Sequence, residues 1–290
     1  MNTPHSRRGV YRRQMDRWFH ALFLAAVGLA VCALILLLWQ VFSDGLRNLD
    51  WQFLTSYASR RWQQAGILAP LAGSFYVMGL TALFALPLGM AAAIHLEFYA
   101  RDNWLNRLIQ TNIANLAGVP SIVYGLFGLA VFVRYLGFDR SILSASLTMA
   151  FLILPVVIVN TQEALRTVPQ TIIQGAYALG ATKWQVIRTV VLPAATGGIM
   201  TGAILALSRA LGETAPLITV GAWVFLTYLP QSPLDGFTVL PIQIWYWSAM
   251  PQQGFQDLAA SAIIVLLILL LTMNSVAIVV RNKYQKKAEW

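Results

Sequence analysis

Residues 169–216 read PQTIIQGAYALGATKWQVIRTVVLPAATGGIMTGAILALSRALGETAP, and the first half of that stretch is too polar for lipid yet too regular for an idle loop. Pro169 can open a helix, where its missing N–H removes no hydrogen bond. Ile172, Ile173, Ala176 and Leu179 follow at helical spacing, which predicts one apolar stripe. Gly180 ends that helix, and Thr182 with Gln185 three residues on forms a capping-box start for a second. Trp184, Ile187 and Val191 carry the second apolar face as far as Leu192-Pro193. Two short amphipathic helices joined at a glycine, between long apolar runs, make a surface for a soluble partner to grip. The alternative on pattern alone is a pair of helices lying on the lipid headgroups.

The flanking composition decides the class. The chain has 290 residues, 58% hydrophobic and 11% charged, with a mean hydropathy of +0.64. A soluble domain carries about 25% charged residues, so this is an integral membrane protein. The single Cys, Cys32, lies in an apolar run, which leaves no disulfide framework and no Cys metal cluster. Net charge +9 raises the question of nucleic acid until the basic residues are placed against the spans.

About 20 apolar residues suffice to cross a bilayer. Residues 1–17 form a basic tail, and 18–43 a first span, longer than a signal peptide and without its cleavage site, hence a retained anchor. With the polar loop behind it, that unit covers 18–64. A core of five more spans occupies 65–281: 65–96, 108–133, 141–162, 194–223 and 258–280, with the quoted loop at 163–193. Residues 282–290 form a second tail. The expected fold is therefore all-α, with six transmembrane helices. Fourteen of the twenty Lys and Arg residues fall on the side of the two tails and five on the other, which predicts cytoplasmic termini. No basic stripe remains, and nucleic acid is excluded as a partner.

Arg209 lies near the middle of the fifth span, where a charge costs about 2.5–3.5 kcal/mol on insertion scales. Glu213 is four residues on, on the same helix face. Pro216 cannot donate to the carbonyl of Gly212 and crowds that turn, so the helix is expected to kink or open there. Charge, counter-charge and loosened backbone at one depth point to a substrate passage; the other reading is a self-neutralised pair that locks helices. Arg suits an oxyanion because its planar fork binds two oxygens together. Glu213 adds an acceptor for a protonated oxygen of such an anion. In the third span, Pro120 frees a carbonyl that must face protein or water. Pro120-Ser121 is thus a second passage candidate, while Gly125 and Gly128 serve close helix packing. Tyr228, Trp245, Tyr246 and Trp247 read as an aromatic belt at the headgroups, or as a platform for a partner with a short helix near 242–247.

No G-x-x-x-x-G-K-S/T string is present, so ATP has no cradle in this chain. His5, His20 and His95 are isolated, without metal-ligand spacing, and the spans offer no nucleophile with a base beside it. A membrane enzyme is disfavoured, and no cofactor is expected in the chain itself.

Gly180, nine residues, then Val190-x-Leu192-Pro193 resembles the cytoplasmic coupling loop of ABC importer permeases, whose pattern is Glu-Ala-Ala, three residues, Gly, nine residues, Ile-x-Leu-Pro. The Glu-Ala-Ala positions fall on Gln174, Gly175 and Ala176, a departure that replaces the family's carboxylate by a carboxamide. The strings at 197–202 and 209–216, above all RALGETAP, resemble more narrowly the A-type permease of the bacterial phosphate-specific ABC transporter. The resemblance spans about residues 65–283 and implies the type I importer fold in the bacterial inner membrane. It implies ATPase coupling through Gln174, Gly175, Ala176, Gly180, Lys183, Trp184, Leu192 and Pro193. It also implies phosphate as the substrate for the passage read at Arg209, Gly212, Glu213 and Pro216. The partners it implies are a second related permease, two copies of an ATPase subunit that binds ATP, and a periplasmic phosphate-binding protein. A same-fold permease for phosphonate, phosphite or sulfate is the alternative.

Overall fold

The computed structural model describes residues 5–285, with side chains described for 15–283. The outermost parts of both expected tails, 1–4 and 286–290, lie outside the described residues. The first helix, α1 (His5–Gly45), runs unbroken through the expected basic tail and the first span. Trp18 and Trp39 are both exposed on it. Their separation along a helix is about 31 Å, close to the hydrocarbon thickness of about 30 Å, the spacing at which aromatic rings flank a bilayer core. At its far end α1 is tied down where the Ser261 hydroxyl donates to the Gly45 carbonyl at 2.7 Å. A short helix, α2 (Trp51–Thr55), follows, its N-terminus capped by Asp50, which accepts from the Phe53 N–H at 2.7 Å.

The centre of the bundle is the lengthwise contact of α3 (Leu68–Ile94) with α6 (Ile142–Arg166). In lipid there is no hydrophobic drive between helices, so association needs small residues and interhelical hydrogen bonds. Both are present: Ala85, Gly89, Ala145 and Ala150 are buried, Thr81 donates to the Ser146 carbonyl, and Ser146 to that of Val77, each at 3.3 Å. A wide π-helical stretch, His95–Tyr99, continues α3.

The third span departs from expectation. Residues 108–133 read as one continuous crossing, but the chain forms α4 (Trp104–Leu116) and α5 (Ser121–Gly128), bent by 104°, with a π-helical extension Leu129–Tyr135. Pro120 is the reason: it has no N–H for the carbonyl of Leu116, and it drives the preceding residue out of helical geometry. Helix α4 buries none of its residues and carries Asn106, Gln110, Thr111, Asn112 and Asn115, a polar load that span length alone hides. Among the described residues five helices are long and apolar enough to cross a membrane, and six spans result when the bent pair counts as one.

The quoted loop forms α7 (Gln170–Ala178) and α8 (Lys183–Val186). Through a π-helical stretch, Ile187–Val191, α8 runs straight into α9 (Leu192–Gly212). The expected stop at Leu192-Pro193 is therefore absent, because the widened turn accommodates the proline's ring and missing N–H. After α10 (Ala215–Val220) the chain loops back, with the Trp223 N–H bonded to the Phe237 carbonyl at 2.8 Å. Helices α11 (Leu240–Ser248) and α12 (Gln253–Gln285) complete the fold. The aromatic segment splits between two environments. Trp247 is 1% exposed and packs between Phe53 and Phe255, with ring centroids 6.2 and 6.3 Å away, whereas Tyr228 and Trp245 stay exposed. Trp247 is core, not belt.

Candidate functional site

The fifth span breaks where its proline predicts. Helix α9 ends at Gly212, Glu213 is extended (φ −76°, ψ 128°), and Pro216 sits in the first turn of α10, where its missing N–H removes no bond. Across the break Arg209 Nε meets Glu213 Oε1 at 3.4 Å, a long contact. Among the described residues the guanidinium Nη groups have no acceptor. The Arg209 side chain is 49% exposed and that of Glu213 19%. Ser208 donates to Asn274 Oδ1 of α12 at 2.5 Å, which fixes the rotation of α9. One residue on, about 100° round the helix, Arg209 turns away from that contact. Among the described residues nothing lies within 4 Å of where a Cβ on Gly212 would stand. The arrangement is thus an open cationic fork beside a loosened backbone, facing out of this chain.

The second candidate, Pro120-Ser121, is brought to the same region by packing. A Cβ on Gly125 would lie 1.8 Å from Thr219 Oγ1 and 2.6 Å from Pro216 Cα, so α5 and α10 touch backbone to backbone. Tyr124, Ala206, Ala210 and Leu217 share one buried cluster around that contact. The helices that follow the breaks of the third and fifth spans, α5 and α10, are therefore packed together.

The residues of the 163–193 loop form a separate candidate site at the other end of the rod 183–212, about 39 Å along the helix from Arg209. Thr182 and Gln185 make the expected capping box, with the Thr182 N–H donating to Gln185 Oε1 at 2.8 Å. Gly180 has φ +84°, which L side chains adopt with strain. Gln174, Gly175, Gly180, Lys183 and Trp184 are exposed, while Ala176, Leu192 and Pro193 are half-buried. The predicted apolar stripe divides: Ile173 is buried, but Ile172 is exposed and Leu179 is 91% exposed. Leu179 closes α7 with φ −80° and ψ 5°, and the helix end turns its side chain outward. On the second face Ile187 and Val191 are buried and Trp184 is not. Ile172, Tyr177, Leu179 and Trp184 consequently form an exposed apolar set at the tip of the loop.

Two anchors of this end left no local signal in the sequence. The Arg166 guanidinium pairs with Glu97 through contacts of 3.0–3.1 Å, and Lys183 Nζ lies 5.0 Å from the Tyr99 ring centroid. Together they tie the loop and the end of α6 to the stretch after α3. Three residues past Tyr99, the hydrogen-bonding Arg107 guanidinium holds the Asp102 carboxyl below its ordinary pKa.

Residues 85–283 match the family described as Binding-protein-dependent transport system inner membrane component. The chain belongs to that permease family. It is 33% identical to the probable ABC transporter permease protein YqgI of Bacillus subtilis, over 81% of this chain and 83% of that one. It is 32% identical to the phosphate transport system permease protein PstA 1 of Mycobacterium tuberculosis, over 89% of this chain and 85% of the relative. Among solved structures, a bacterial alginate ABC importer superposes with TM-score 0.66 at 16% identity, covering 95% of this chain and 99% of that one. The inward-facing MetNI methionine transporter gives 0.62 at 18%, covering 75% and 97%. These likenesses establish the type I importer fold for the permease. The permease is a membrane-spanning subunit of an ABC importer, a transport component.

Proposed function

We propose that this permease passes inorganic phosphate across the bacterial cytoplasmic membrane, with both of its termini in the cytoplasm. The observation that carries the reading is Arg209: a half-exposed guanidinium, its Nη groups without acceptor among the described residues, beside the break at Gly212–Glu213. A planar, permanently charged fork suits a tetrahedral oxyanion. Glu213 accepts from a protonated phosphate oxygen, which sulfate lacks at neutral pH. Relatives named as phosphate transport system permeases support the substrate. Because Arg209 and Gly212 face out of the chain, the passage runs between this permease and a second, related one. Gly212, Pro216, Pro120 and Ser121 supply its loosened backbone.

The exposed tip of the coupling loop docks one of two copies of a separate ATPase, which binds ATP, and Gln174 replaces the family's Glu there with a neutral hydrogen-bonding group. A periplasmic phosphate-binding protein delivers the anion at the opposite end. A permease of the same fold for phosphonate, phosphite or sulfate would use the same fork, so competition decides. Cells relying on the complete importer take up radiolabelled phosphate, and excess sulfate leaves that uptake unchanged. Uptake of sulfate or phosphonate in preference to phosphate overturns the assignment.

Orientation has its own test. In a Cys32→Ser background, an impermeant thiol reagent applied outside the cell labels Ser59→Cys and Ser232→Cys but not Gln170→Cys. Labelling at position 170 overturns both the topology and the docking assignment.

A further inference from the structure

We propose that Tyr124 is a positioning residue for transport: its hydroxyl holds the bend of the third span, and through the turn it occupies it holds the break beside Arg209. The transport consequence rests on the reading of Arg209 as the anion's contact; the structural consequence rests on packing alone.

Pro120 lacks the N–H that would continue α4 by donating to the carbonyl of Leu116. That carbonyl accepts instead from the Val119 N–H at 3.1 Å and from the Tyr124 hydroxyl at 2.8 Å. A side chain of α5 thus adds a second donor beside the Val119 N–H, in place of the one Pro120 lacks, and in doing so it links the two helices across their 104° angle. Tyr124 is 5% exposed, and its ring meets Phe151 of α6 edge-on, centroids 6.0 Å apart. A buried phenol without an acceptor is costly, so the bend and the side chain require each other. The next residue, Gly125, lies against Pro216 and Thr219 with no room for a Cβ. Pro216 is three residues past Glu213, the partner of Arg209. An altered angle between α4 and α5 therefore shifts α10, and with it the backbone break beside the fork.

Tyr124→Phe removes the hydroxyl and keeps the ring. The bend then samples other angles, and apparent affinity falls in proportion to the competent fraction. In the complete importer the KM for phosphate rises about tenfold, as expected for loss of one buried hydrogen bond, while the maximal rate stays within about twofold. A readout independent of transport accompanies this: the rate at which a thiol reagent labels Gly212→Cys in a Cys32→Ser background changes several-fold. Pro120→Ala added to Tyr124→Phe restores a main-chain donor, but that donor reaches Leu116 only when the bend straightens. The double variant thus regains thermal stability without regaining KM.

Unchanged KM and unchanged labelling in Tyr124→Phe overturn the proposal. Recovery of KM together with stability in the double variant also overturns it, since Tyr124 would then serve only as a donor. If Arg209→Gln transports normally while Tyr124→Phe still alters labelling at position 212, the anion assignment falls and the positioning role stands.

Discussion

Arg209→Gln abolishes phosphate uptake while the importer still assembles. The fork offers charge-assisted hydrogen bonds worth about 1.5–3 kcal/mol each. Losing two of them lowers uptake at least about a hundredfold. The long 3.4 Å contact to Glu213 and the half exposure of the side chain mean that removing it leaves no tightly packed void, so assembly is only partly reduced. Arg209→Lys keeps the charge and loses the planar fork, and is impaired rather than neutral. The decisive comparison is the exchange Arg209→Glu with Glu213→Arg. A pair that only locks helices works nearly as well reversed. A passage site does not, because the anion then meets a carboxylate on α9 and finds the guanidinium a turn away, beyond the break. Radiolabelled phosphate uptake and substrate-stimulated ATP hydrolysis read the result, and wild-type uptake in the exchange overturns the passage assignment.

Gly180→Val uncouples the permease from its ATPase. The residue has φ +84°, a conformation that costs an L residue roughly 1–2 kcal/mol and a β-branched one more. No atom of the described residues lies within 4 Å of the new Cβ, so the strain acts on the turn itself and not through a clash. The turn joins α7 to the capping box at Thr182, and its distortion displaces Leu179 and Trp184, which present the apolar tip of the loop. Recovery of the ATPase in pull-down with the permease, and ATP-driven uptake, fall about tenfold or more, while membrane insertion is unchanged. Gly180→Asn is the control, since Asn tolerates this conformation, and it retains most of the coupling. Normal pull-down by the Gly180→Val protein removes this turn from the docking surface.

Much of the fold was legible because its signals act within one turn or one apolar run. The spans follow from runs of about 20 apolar residues. The break at Gly212–Glu213 follows from Pro216, four residues past the carbonyl it cannot serve. The capping box at Thr182 and the αL turn at Gly180 are likewise encoded by residues within three positions of one another. Even the third span carried its cause in Pro120, though an unbroken apolar count masked the bend.

What lay beyond reach depends on contacts between residues far apart in the chain. Gly125 against Pro216 and Thr219, Glu97 with Arg166, and Ser208 with Asn274 join positions 66 to 94 residues apart. No local period marks such pairs. The burial of Trp247 beside Phe53 and the exposure of Leu179 were equally hidden, for a different reason: in a membrane protein an apolar side chain suits lipid, core and docking surface alike. Hydropathy places a residue in an apolar setting, and only the packed helices decide which of the three it faces.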